Sequence, residues 1–225
     1  MNKKTIILLL GFALTAPLQS GRTETKEGVR RENTEWCNMW VTSAQKNDKP
    51  RILMIGDSIT NGYYNSASKA LEDKAYGAKF TTSACVADPA FLVQLEGLLS
   101  QYSFAVIHFN NGLHGFTYSE EEYQKGYERA LQYIKKKFPS AKLVLALSTP
   151  LKSTSDKNEL NPRVDARNEI VRTLAKKYKA AINDLHSISK GHPEYYSDPY
   201  HYKKVAVELQ AQQVAKVLAA AMTDE

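Results

Sequence analysis

Several kinds of chemistry are missing from this 225-residue chain. No Gly-x-Gly-x-x-Gly and no phosphate loop follows any predicted strand, which argues against a nucleotide enzyme. Metal ligands do not gather at a usable spacing. His108 and His114 are six residues apart across a turn, and no Glu or Cys joins them, which argues against zinc. No cofactor is expected. The chain has no internal repeat and no low-complexity tract. Its lysines are scattered. Lys135, Lys136 and Lys137, like Lys176 and Lys177, sit late in predicted helices, where cations suit the helix dipole. They read as solvated faces, so a nucleic-acid groove is not expected.

Cysteine is scarce. Cys37 and Cys85 can pair outside the cytoplasm or serve as two buried thiols, and the sequence leaves both open. The main apolar run, Thr5 to Ala16, falls short of the length that spans a bilayer. Lys3 and Lys4 precede it, and Pro17-Leu18-Gln19-Ser20-Gly21 follows as an exit. That order predicts a secretory signal peptide over residues 1–20, cut near Ser20. No cysteine lies near the cut, which argues against a lipid anchor. A secreted or periplasmic protein is expected, with no stable membrane insertion once the leader is gone. The loss of Lys3 and Lys4 takes the formal charge from +6 to +4.

The rest divides into an N-terminal arm and docking helix (21–49) and one domain (50–225). Residues 21–34 are charged and nearly free of large apolar groups, so they predict a mobile arm. Trp36, Met39, Trp40 and Val41 recur at helical spacing and predict a short helix that docks its aromatics.

In the domain, Ile52-Leu53-Met54-Ile55 reads as a strand buried on both faces, and Gly56 ends it. Further strands are predicted at Ala78–Thr82, Phe104–Phe109, Leu143–Leu147 and Ala180–Ile182. Helices are predicted over about 66–74, 89–100, 119–138, 162–178 and 203–222. Asp88 and Pro89 form one helix start, and Ser119 with Glu122 forms a capping box at another. Residues 184–200 are left as loop. Strand–helix alternation of this kind predicts an α/β fold, a three-layer α/β/α sandwich around a five-stranded parallel sheet.

Ser58 follows the first of these strands, where open α/β sheets bind ligands. Read alone, it is equally a helix cap. A serine nucleophile needs a base and a group to orient that base. His201 stands three residues after Asp198, just before the last helix, so one turn can carry both.

Taken together, Gly56-Asp57-Ser58-Ile59 and Asp198-x-x-His201 resemble the SGNH (GDSL) hydrolase family over about residues 50–220. The resemblance implies a flavodoxin-like SGNH fold and a triad of Ser58, His201 and Asp198. Its middle blocks match less well. The loop Thr81–Asp88 lacks the family's glycine, so an N–H between Ser83 and Ala87, assigned to Ala84, is expected in the oxyanion hole with that of Ser58. In Phe109-Asn110-Asn111-Gly112-Leu113-His114-Gly115, alignment of Gly112 puts His114 where the family has asparagine. A neutral imidazole N–H can donate there, and so can Asn110 or Asn111. This run is like that of some secreted bacterial carbohydrate esterases. Tyr63 and Tyr64 are candidates for the substrate pocket, with core packing as the equal alternative. His108 reads as a core residue, His186 and His192 as surface loop. The expected substrate is a small-molecule or polysaccharide ester, first of all an O-acetylated carbohydrate. Short-chain acyl esters or lysophospholipids come second. A binding protein whose catalysis has lapsed is the alternative of a different class.

Overall fold

Six strands form one sheet in the computed structural model, which describes residues 29–153 and 156–223. The predicted signal peptide, residues 1–20, lies outside the described residues. The strands are β1 (Cys37–Val41), β2 (Arg51–Gly56), β3 (Tyr76–Thr82), β4 (Val106–Phe109), β5 (Lys142–Ala146) and β6 (Ala181–Asn183), in the order β1-β3-β2-β4-β5-β6. All neighbours pair parallel except β1 and β3.

The helices are α1 (Ser58–Ala70), α2 (Pro89–Leu99), α3 (Glu120–Lys137), α4 (Asn161–Tyr178), α5 (Leu185–Ser189) and α6 (Lys204–Thr223). Alternate residues of β2 feed opposite faces of the sheet. Leu53 and Ile55 join a core with Phe91, Phe109, Tyr127 and Leu131 from the α2 and α3 side. Ile52 and Met54 join another with Tyr63, Val214 and Leu218 from α1 and α6. That double burial explains why the strand shows no polar alternation.

The five parallel strands are thus the expected α/β/α sandwich, and the sixth strand is the difference. Trp36–Val41 is not a docking helix. Six residues are too few to hold a helix without help, whereas the open edge of β3 offers a ladder of unpaired backbone groups. Cys37 pairs with Thr82 and Val41 with Ala78. The side chains of β1 stay mostly exposed, which is why their spacing carried no true periodicity.

The arm is likewise placed rather than mobile from Val29 onward. Arg30 donates to Thr117 O and Glu122, each at 2.9 Å, and Arg31 pairs with Asp88 at 2.7 Å. α1 begins eight residues earlier than predicted because Asp57 caps it: Oδ1 accepts from Ile59 N–H at 2.9 Å. The Asp88 cap and the Ser119/Glu122 capping box form as expected. The predicted loop 184–200 contains α5, capped by Asp184.

His108 lies fully buried on β4. Its Nε2 faces the Asn183 amide at 3.0 Å, while Nδ1 has no partner among the described residues. Burial pushes this imidazole down to about 3. The unfolded chain therefore takes up a proton near pH 6.5 that the folded chain refuses until near pH 3. The stability it supports is present above the unfolded value and lost as pH falls through that window. Denaturant unfolding at pH 7 and pH 4.5 is expected to show this site costing about 3 kcal/mol, at 1.36 kcal/mol per unit. A His108→Leu protein should lose that part of the acid slope.

Candidate active site

The parallel strands diverge from β2, with β3 on one side and β4 on the other. A crevice opens at such a switch point, beyond the carboxyl ends of the strands. Three loops meet there: 56–58 after β2, 83–88 after β3 and 110–118 after β4.

Gly56 lets the first loop turn tightly. A Cβ at Gly56 would lie 2.0 Å from Thr60 Oγ1, so no side chain fits between the strand end and the first turn of α1. Ser58 then occupies the first helical position. Its N–H is one of the donors a helix start leaves unpaired, and among the described residues it takes no hydrogen bond.

Asp198 and His201 come from the other end of the chain, 143 residues from Ser58 in the case of the histidine. Their turn is built by Asp198 itself. Its Oδ1 accepts from the N–H groups of Tyr200 and His201, both at 2.8 Å, and its Oδ2 pairs with His201 Nδ1 at 2.9 Å. Two tyrosines anchor the turn: the hydroxyls of Tyr196 and Tyr202 both donate to Pro150 O. His201 Nε2 then stands 2.9 Å from Ser58 Oγ. Burial would raise the Asp198 carboxyl, but the two backbone donors and the imidazole outweigh it and hold it below the usual range. An ionised Asp198 keeps the proton on Nδ1, so Nε2 is free to accept from the serine hydroxyl. Asp198 and His201 are about half exposed, 46% and 48%, and Ser58 beside them is partly buried, so the site opens to the surface on the histidine side.

The remaining sequence candidates divide. Ala84 commits its N–H to Thr82 Oγ1 at 3.0 Å. The Asn111 amide clasps the same loop, donating to Ala84 O and accepting from Val86 N–H, both at 3.1 Å. Between these two points the Cys85 N–H takes no hydrogen bond among the described residues. Asn110 donates to Ala146 O at 2.9 Å, away from the serine. Both asparagines are therefore spent on holding loops. Tyr63 and Tyr64 are 0% and 1% exposed and belong to the core under α1 rather than to the crevice beside Ser58. His114 Nδ1 meets Glu32 Oε2 at 2.8 Å.

Sequence reasoning missed the groups that shape the 110–118 loop. Arg167 of α4 is wholly buried. It donates to the carbonyls of Gly112, His114 and Gly115 at 3.0, 2.8 and 2.9 Å. Arg163, one turn earlier, donates to Tyr118 O and pairs with Glu120 at 2.7 Å. Two arginines four apart on one helix were the available signal. Gly115 has φ +62, and a Cβ there would meet Cys85 Cβ at 2.4 Å, so only glycine serves. Cys37 and Cys85 are free thiols, one exposed and one buried.

The fold has counterparts among solved structures. A GDSL-like lipase from Bacteroides thetaiotaomicron superimposes with a TM-score of 0.63 at 16% identity, covering 76% of this chain and 89% of that one. An acetyl xylan esterase superimposes with a TM-score of 0.61 at 19% identity, over 75% and 99%. A carbohydrate acetylesterase family member from Sinorhizobium meliloti gives 0.62 at 17%, over 77% and 99%. The sequence itself matches no family model and no curated protein.

Proposed function

We propose that this chain, built on the same fold as the GDSL-like lipases and acetylesterases, is an SGNH-type serine esterase. The observation that carries the reading is the continuous relay Ser58 Oγ–His201 Nε2 and His201 Nδ1–Asp198 Oδ2, 2.9 Å at each step.

Ser58 Oγ attacks the ester carbonyl as His201 takes its proton. The tetrahedral oxyanion is held by the N–H of Ser58, helped by the positive end of α1, by the Cys85 N–H and by His114. The tetrahedral intermediate collapses, the C–O bond to the alcohol breaks, and His201 returns the proton to the departing oxygen. Water then repeats the sequence on the acyl-enzyme and releases the acid.

O-acetylated carbohydrate is the proposed substrate class. An open triad admits a bulky alcohol component, and two neighbours of the same fold carry acetylesterase names. The apolar leader after Lys3 and Lys4 supports a secreted or periplasmic site of action.

Two measurements test this. A fluorophosphonate should label Ser58 stoichiometrically and stop turnover. Across p-nitrophenyl esters, kcat/KM should fall by at least about tenfold from acetate to octanoate, a loss of 1.4 kcal/mol in transition-state binding. Acetate should also be released from acetylated xylan. Faster hydrolysis of octanoate or of a lysophospholipid would move the assignment to lipid esters.

A further inference from the structure

We infer that Glu32, on the segment before the first strand, is a positioning residue that holds His114 as an imidazolium, so that its Nε2–H can face the oxyanion. The inference rests on the esterase reading and adds to it a part outside the sheet-and-helix domain.

The Glu32 carboxylate spans two consecutive residues of the loop after β4. Its Oε2 meets His114 Nδ1 at 2.8 Å and its Oε1 accepts the Gly115 N–H at 2.9 Å. Each end of the segment is fastened. Arg30 and Arg31 hold it on one side of Glu32. On the other side the N–H of Trp36 donates to Ser83 Oγ at 2.8 Å. The Trp36 and His114 rings meet edge to face, with centroids 6.1 Å apart.

Such a clamp decides what His114 can do. A carboxylate at Nδ1 keeps a proton there. A neutral ring with its one proton on Nδ1 presents a lone pair at Nε2, which accepts but cannot donate. The neutral donor expected from the sequence is therefore excluded by this contact. Only the doubly protonated ring donates at Nε2, and Nε2 takes no hydrogen bond among the described residues.

The surroundings favour the charged form. Burial alone would lower His114, but the Glu32 hydrogen bond and the charges of Asp57, Glu32 and Glu35 outweigh it, and the net shift is upward. Burial alone would raise Glu32, but the bonds from His114 and Gly115 and the charges of His114 and Arg167 bring it down. Both partners move toward the ion pair. Asp57 adds an independent sign: it is wholly buried, and its Oδ2 has no hydrogen-bond partner among the described residues. A cation beside the nucleophile's turn offsets that carboxylate. Arg167, which donates to the His114 carbonyl, is the opposing cation from α4, and the imidazolium formed on His201 during the reaction is the other.

The cycle then needs two histidines in opposite states. His201 must be neutral to accept a proton, and His114 must be charged to donate a hydrogen bond. The rate should fall at high pH as His114 loses its proton.

The test compares wild type with Glu32→Ala, using kcat/KM on p-nitrophenyl acetate across pH and the His114 ring titration by NMR in the intact protein. Wild type should give a profile whose alkaline limb coincides with the His114 titration. In Glu32→Ala the His114 titration should move to lower pH and the alkaline limb should be lost, because a freed neutral ring can carry its proton on Nε2 and donate. At pH 7 kcat should fall by about tenfold, short of the 10²–10³ that loss of a whole oxyanion donor costs, because the freed ring still donates but is no longer aimed. KM should change little, and melting temperature should hold, since Arg30, Arg31 and Trp36 still fasten the segment. An unmoved alkaline limb, or a His114 ring already neutral at pH 7 in wild type, overturns the inference. If Ser58→Ala is inactive while Glu32→Ala leaves the profile unchanged, only this inference fails. If Ser58→Ala keeps its activity, the esterase reading fails, and the NMR titration alone then judges the Glu32–His114 pair.

Discussion

Ser58→Ala is expected to lower kcat/KM on p-nitrophenyl acetate by at least about 10⁴-fold, which is about 5.5 kcal/mol of transition-state stabilisation. In the proposed mechanism this hydroxyl forms the acyl-enzyme, and among the described residues its side-chain bond goes to His201. The fold has little stake in it. Asp57, not Ser58, caps α1, and Ser58 is only partly buried, so its loss leaves no buried polar group unpaired. The melting temperature should therefore stay within about 2 °C, as for surface substitutions away from caps and cores. Steady-state kinetics and a thermal melt on the same preparation separate the two quantities. A variant that melts normally and keeps wild-type rates would remove the serine from the mechanism.

What could be read in advance follows from the range of the interactions involved. β2 announced itself because four consecutive apolar residues need two covered faces, and both cores supply them. The Asp88 and Ser119 caps were legible because a cap is a contract between residues two or three apart. The pairing of Ser58 with Asp198 and His201 was legible only as a family pattern, since nothing local links positions 143 apart. β1 was misread for the opposite reason. Its conformation is decided by the edge of β3, some forty residues on, while its own side chains stay in water and carry no signal. Tyr63 and Tyr64 follow Ser58 in sequence, but helical rotation turns them from the crevice into the core. The arm looked like a mobile tail because its anchors are charged. Arg30, Arg31 and Glu32 each need a partner that composition cannot show.

The same limit hid Arg167, whose replacement should have the largest effect on stability. Arg167→Ala is expected to cost about 3–5 kcal/mol, the usual cost of removing one partner from a buried charged network. Three carbonyls, those of Gly112, His114 and Gly115, would lose their donor while still shielded from water. The guanidinium also lies over the rings of Phe116 and Tyr123, 4.6 and 4.7 Å from their centroids, so its packing goes with it. For a domain of this size such a loss corresponds to a melting temperature lower by roughly 6–20 °C. Arg167→Lys should recover only a small part, because one ammonium cannot reproduce a planar fork aimed at three carbonyls. Activity should suffer beyond what unfolding explains. The carbonyls that Arg167 holds belong to the loop that carries His114, and a loop loosened by an ångström no longer aims a donor. Measured well below its melting point, Arg167→Lys should thus show a reduced kcat with a fully folded near-UV spectrum. A variant that melts like wild type would mean that water reaches these carbonyls and that the loop is held by something other than α4.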